Sequence, residues 1–188
     1  MQAVAPPVKE STWLPTLVVA AVLFVVVTGG TITATALSVP AGPPVDVGGV
    51  VRVFPLSGWE VAWRGEVKGV PAARLTRGTG NLDVLAPAQG SDPDELLRSY
   101  VQEVLKPEAR HLRVSEQIER VRLDSGLPAS RLFYVAEFGD RAVQIEGEVT
   151  TTVAPSGAGV VFDGWGPAGL FGYASGDIDT MTAASEVF

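Results

Sequence analysis

The chain has 188 residues, with 14 Lys+Arg against 21 Asp+Glu, one His and no Cys, for a formal net charge of −7. The only charged residues before Asp46 are Lys9 and Glu10, which cancel, so the whole excess sits on the C-terminal part. An acidic surface of that kind excludes nucleic-acid binding as a role. Absence of cysteine removes disulfides, thiolate metal sites, a cysteine nucleophile and a lipidated cysteine.

Residues 1–11 lack hydrophobic period and are expected to form a cytoplasmic tail. Residues 12–37 are expected to be a transmembrane signal-anchor in the lipid bilayer. No Asp, Glu, Lys, Arg or His occurs from Ser11 to Val45, and Leu14 to Ile32 as a helix spans close to ~30 Å, the thickness of a bilayer's hydrocarbon core. Trp13 stands where an interfacial aromatic belt would place it. A cleaved signal is the competing reading: Leu14–Val27 has the length of a signal-peptide core, and Ala34-Thr35-Ala36 offers small residues for cleavage after Ala36. Either way the following domain lies outside the cytoplasm. Residues 38–49, with Pro40, Pro43, Pro44 and three glycines, read as a linker.

Residues 50–188 then read as one extracytoplasmic domain. Short strands are expected at 50–54, 59–64, 73–77 and 81–86, with turns at Ser57-Gly58 and around Gly78. Asp92 is a candidate N-cap with Pro93 at the first helical position and Glu95 completing a capping box. Leu96, Leu97, Tyr100, Val101, Val104 and Leu105 follow at helical spacing, and Pro107 ends the run. Strands are expected near 114–123, 130–138, 143–153 and 158–163. Along the third of these, Ile145 and Val149 share one face, and Glu146 and Glu148 share a face expected to be wet. A glycine-rich loop from Gly164 to Gly176 leads to a last helix, capped by Asp177 and carrying Ile178, Met181, Ala184 and Phe188 on one face. This order predicts an α+β fold: a mainly antiparallel sheet flanked by helices, an α/β/α sandwich.

The apolar first strand with Pro55, the Ser57-Gly58-Trp59 turn, the mid-domain helix, the strand meander and the closing Asp177–Ser185 segment resemble the PsbP-like fold of photosystem II extrinsic subunits. That fold also occurs in secreted bacterial lipoproteins. The resemblance implies a non-enzymatic accessory or binding role against a larger membrane or envelope protein. Lack of a lipidation Cys and the single His depart from the family and leave metal chemistry without support.

The residues themselves offer no catalytic set, cofactor site or metal site. His111 is the only imidazole, without a partnered serine or second histidine, and reads as a surface residue. Gly164-Trp165-Gly166-Pro167-Ala168-Gly169 spells G-x-G-x-x-G, yet Pro167 interrupts it and too little chain follows for a dinucleotide-binding unit. Trp165, Leu170, Phe171 and Tyr173, set among glycines, are the candidate partner-binding residues, with core packing as the competing reading. Trp59 and Trp63 are expected in the core. The expected function is that of a tethered extracytoplasmic accessory or binding domain docking onto a membrane or envelope complex. The alternative is an envelope small-ligand-binding module, which requires an apolar pocket with few polar anchors.

Overall fold

In the computed structural model, residues 42–87, 89–90, 92–139 and 143–188 are described. The expected tail 1–11 and membrane segment 12–37 lie outside them. Among the described residues no helix is long and apolar enough to cross a membrane.

Eleven strands among the described residues form two antiparallel sheets. The small one has the order β1–β2–β11, from Val45–Val47, Val51–Val53 and Glu186–Val187. The large one runs β3 (Glu60–Val67), β4 (Val70–Arg77), β5 (Gly80–Leu85), β10 (Gly159–Pro167), β9 (Val143–Val153), β8 (Pro128–Phe138) and β6 (Arg113–Val114), and β7 (Glu119–Arg122) also pairs with β8. The stretch expected as linker to residue 49 therefore contains a strand. Val45 and Val47 alternate into the core, and Gly48 and Gly49, at φ +63 and +68, turn the chain back into β2.

Two cores flank the large sheet, and β10 shows why. Its Val160 and Phe162 point into one core with Leu75, Leu82, Ile178 and Met181, while Val161 joins Leu97, Tyr100, Leu132 and Val149 on the other side. A strand buried on both faces reads as the near-continuous apolar run Val160-Val161-Phe162 rather than as an alternation. Helix α1 (Pro93–Tyr100) covers one face, continuing through a π-helical turn (Val101–Leu105) and a last turn (Lys106–Glu108). Helix α2 (Gly172–Ala183) and the small sheet cover the other. The domain is an α+β sandwich dominated by antiparallel sheet.

The cap of α1 forms as its sequence dictates: the Asp92 carboxylate accepts from the backbone N–H of Asp94 at 2.9 Å and of Glu95 at 3.2 Å. Helix α2 corrects the expectation. It begins at Gly172, so Asp177 lies inside it and caps nothing. Its carboxylate accepts from the Trp59 indole N–H at 2.9 Å and from Arg77, tying α2 to β4 and to the residue just before β3. Phe188 lies beyond the helix, past β11, and its N–H bonds to the Val50 carbonyl at 2.8 Å.

Close approach at two glycines sets the layers. A Cβ on Gly164 would stand 2.6 Å from Ile178 Cγ2, so α2 seats directly on the β10 backbone. A Cβ on Gly147 would stand 2.5 Å from Tyr134 Cζ, so that ring lies across β9. Neither contact survives a side chain.

A candidate ligand cleft beside helix α1

Helix α1 packs on β8, β9 and β10 and leaves the β3–β5 side of that face uncovered. The step creates a cleft of about 460 Å³. Its apolar walls include Trp63 and Val67 of β3, Leu85 of β5, Val104 of the π turn, and Phe138 and Ile145. Trp63, Val67 and Val143 stand exposed at the mouth. The π turn matters because it brings Val104, Leu105 and Glu108 to the cleft edge.

The polar floor follows from register. Trp63, Arg74, Asp83 and Asp163 are direct cross-strand neighbours along one row of the sheet. Arg74 grips Asp83 with two hydrogen bonds of 2.5 and 2.7 Å, and the Trp165 indole N–H donates to the same carboxylate at 3.0 Å. The Arg74 guanidinium also lies over the Trp165 ring, 5.2 Å from its centroid. Asp163 is buried, 4% exposed. Its two oxygens accept from the Tyr100 hydroxyl at 2.7 Å and the Tyr134 hydroxyl at 2.8 Å. Gly147 makes the second bond possible by letting the Tyr134 ring lean over β9.

Burial pushes the Asp163 carboxyl up to about 7, against the two tyrosine hydrogen bonds that favour its charged form. Both phenols are pushed far up, first by burial and then by the neighbouring Asp163 charge. The Asp83 hydrogen bond raises Arg74 further, so it stays a cation. This is a hydrogen-bonded floor under an apolar cleft. Its carboxylates are already engaged by phenols, an indole and a guanidinium, and no hydroxyl nucleophile or imidazole of the described residues lines it. Among the described residues no three His, Cys, Asp or Glu side chains are grouped to hold a metal ion.

The residues singled out from sequence fall in different places. Trp165 lines the cleft, half-buried, whereas Phe171 is 7% exposed in the core on the opposite face of the sheet. Leu170 and Tyr173 are exposed, Tyr173 at 87%. The four are not gathered on one surface. His111 is exposed, with Glu137 at 3.9 Å. Gly164 and Gly166 lie within β10 and Gly169 in the following turn, so no helix begins at them to meet a phosphate.

Two expectations are overturned. Trp63 leaves the core for the cleft because a β-bulge between Val61 and Trp63 inserts one residue opposite β4. Past the bulge the alternation is reversed, so Trp59 and Trp63 occupy opposite faces. Glu148 is 3% exposed rather than solvated, and its burial pushes it up to about 7. The reason is α2, which seats over Gly164, the residue paired with Glu148. Tyr134, Asp83 and Asp163 escaped the sequence reading, and Tyr100 entered it only as part of the apolar stripe of α1. The one signal they left was an Asp in an apolar run, Val160-Val161-Phe162-Asp163, which implies a buried partner.

No family model matches the chain, and no curated protein matches it. Among solved structures it resembles cyanobacterial PsbP (CyanoP) from Synechocystis sp. PCC 6803, with TM-score 0.54 and 15% identity over 80% of this chain and 94% of that one. The domain has the PsbP-like fold. A second PsbP-like neighbour is LpqN, involved in cell envelope biogenesis of Mycobacterium tuberculosis, with TM-score 0.54 and 13% identity over 78% of this chain and 84% of that one. In this PsbP-like domain the cleft opens where α1 stops short of β3, β4 and β5.

Proposed function

We propose that this is a membrane-tethered extracytoplasmic binding domain that holds a small, mainly apolar ligand in the cleft beside α1. The cleft is the observation that carries the reading: about 460 Å³, walled by apolar side chains and floored by a few fixed polar groups. That is the form of a small-molecule site, and its volume lies within the range of roughly 300–1,000 Å³ for such sites. The uncharged stretch 12–37 supports the tether, and the PsbP-like neighbours, one of them involved in cell envelope biogenesis, support the compartment.

Native mass spectrometry of the full-length protein from mild detergent tests the reading. A bound small molecule should be retained and released on unfolding. Val104→Trp, which fills the cleft from the helix side, should remove it without loss of fold. Wild-type protein that emerges empty from several detergents counts against the reading.

Docking onto a larger membrane or envelope protein is the second reading, favoured by Leu170 and Tyr173. These two apolar side chains stand exposed near the start of α2, and aromatic side chains anchor interfaces disproportionately. A photo-crosslinker at Tyr173 in intact membranes should capture one larger protein. Labelling no stronger than from Lys68, in a turn, would dismiss that surface.

A further inference from the structure

We infer that the ligand of this cleft is an organic cation, a protonated amine on an apolar body, with its ammonium at Asp163 and its body against Trp63 and Trp165. The inference rests on the reading of the cleft as a ligand site. Three observations carry it.

First, the wall is aromatic. Trp63, Tyr100, Tyr134, Phe138 and Trp165 all line the cleft. Their negative ring faces attract cations and do nothing for anions. The Trp165 face already receives one, the Arg74 guanidinium at 5.2 Å.

Second, the floor has acceptors to spare. A carboxylate accepts about four hydrogen bonds, and among the described residues Asp163 receives two, from Tyr100 and Tyr134. Those phenols donate their single protons to Asp163, so towards a ligand they too can only accept. A donor-bearing head group completes this arrangement. An acceptor finds only Arg74, whose guanidinium is already paired with Asp83.

Third, the charge has one sign. Asp163, Asp83 and Glu108 line the cleft, and among the described residues Arg74 is the only basic side chain that does. Arg74 is held by Asp83 through both of its hydrogen bonds. A carboxylate or phosphate head would lie beside the buried Asp163 with only an Arg74 already neutralised by Asp83 to meet it, a costly position for a charge out of water. An ammonium would be paired there.

The experiment compares three probes of one shape: phenylbutylamine, phenylbutanol and phenylbutanoate. Binding to the full-length protein in amphipol is followed by tryptophan fluorescence and calorimetry at about pH 8, where Asp163 is ionised. The amine should bind at least about tenfold tighter than the alcohol, and the carboxylate weakest, as a charge-assisted bond to a buried carboxylate implies. Asp163→Asn should bring the three within about threefold of each other. Trp63→Leu, at the half-exposed mouth, should weaken the amine more than the alcohol while leaving the fold intact. The wild-type ranking decides even where the Asn variant fails to fold. Alcohol or carboxylate binding as tightly as the amine overturns the cation assignment and leaves the cleft standing as an apolar site. Failure of all three to bind overturns the ligand reading itself.

Discussion

Asp163 and Glu148 are buried carboxyls on opposite faces of one sheet, and both are pushed up to about 7. Asp163 faces Tyr100, Tyr134, Asp83 and Arg74, and Glu148 faces Asp179, Arg131 and Glu119. In each case burial dominates. Their folded values lie above those of an unfolded chain, so the native state holds protons that the unfolded state releases. Stability from this source is complete below about pH 4 and is lost as pH rises through about 7. Stability to urea should therefore be lower at pH 8 than at pH 5, by on the order of 5 kcal/mol for the two groups together. Glu148→Gln should roughly halve that dependence, leaving the part due to Asp163. A profile rising from pH 5 to pH 8 in the wild type would contradict the burial of both groups. Asp94, pulled low by Ser130 and Arg120, acts in the opposite sense only at more acidic pH. The burial of Glu148 was not legible in the sequence, because Glu at alternate strand positions is the ordinary pattern of a solvated face and only α2 makes it otherwise.

At the scale of elements, the sheet is fixed to its covering helices by absent side chains. Gly164→Ala would set a methyl group 2.6 Å from Ile178 Cγ2 and lift α2 from β10. The expected cost is about 1–3 kcal/mol, read as a lower urea midpoint. Adding Ile178→Val should recover only a small part of it, since Val lacks the Cδ1 met at 3.1 Å but keeps the Cγ2 met at 2.6 Å. Equal midpoints for Gly164→Ala and wild type would show that the helix does not sit where it is described. Helix α1 was readable from sequence because everything that defines it is local: the Asp92 cap, Pro93, and an apolar stripe. The start of α2 was not, since Gly172 and Gly176 resemble a loop and helical order there comes from packing on Gly80 and Gly164. The bulge at Val61 likewise leaves no mark in the alternation of β3, and it alone decides that Trp63 serves the cleft and not the core.

At the scale of the molecule, both cores close within residues 45–188. A fragment beginning at residue 42 should therefore be soluble and melt cooperatively. One beginning at residue 50 lacks β1, and with it Val45 and Val47, which are 0% and 3% exposed. Each buried valine contributes roughly 1.5–3 kcal/mol, so the shorter fragment should melt markedly lower by circular dichroism. Equal melting of the two would place β1 outside the domain. The sequence by itself determined the uncharged stretch that precedes the domain, its acidity, the capped α1, the antiparallel strands and the PsbP-like order of elements. Each of these is written in neighbouring residues or in simple sums of charge. Only the tertiary structure decided the cleft, because its floor joins Tyr100 to Asp163 across 63 positions and Tyr134 to Asp163 across 29. Such pairings exist only once sheet register and helix packing bring the residues to one face, and no periodicity along the chain encodes which distant strand lies opposite.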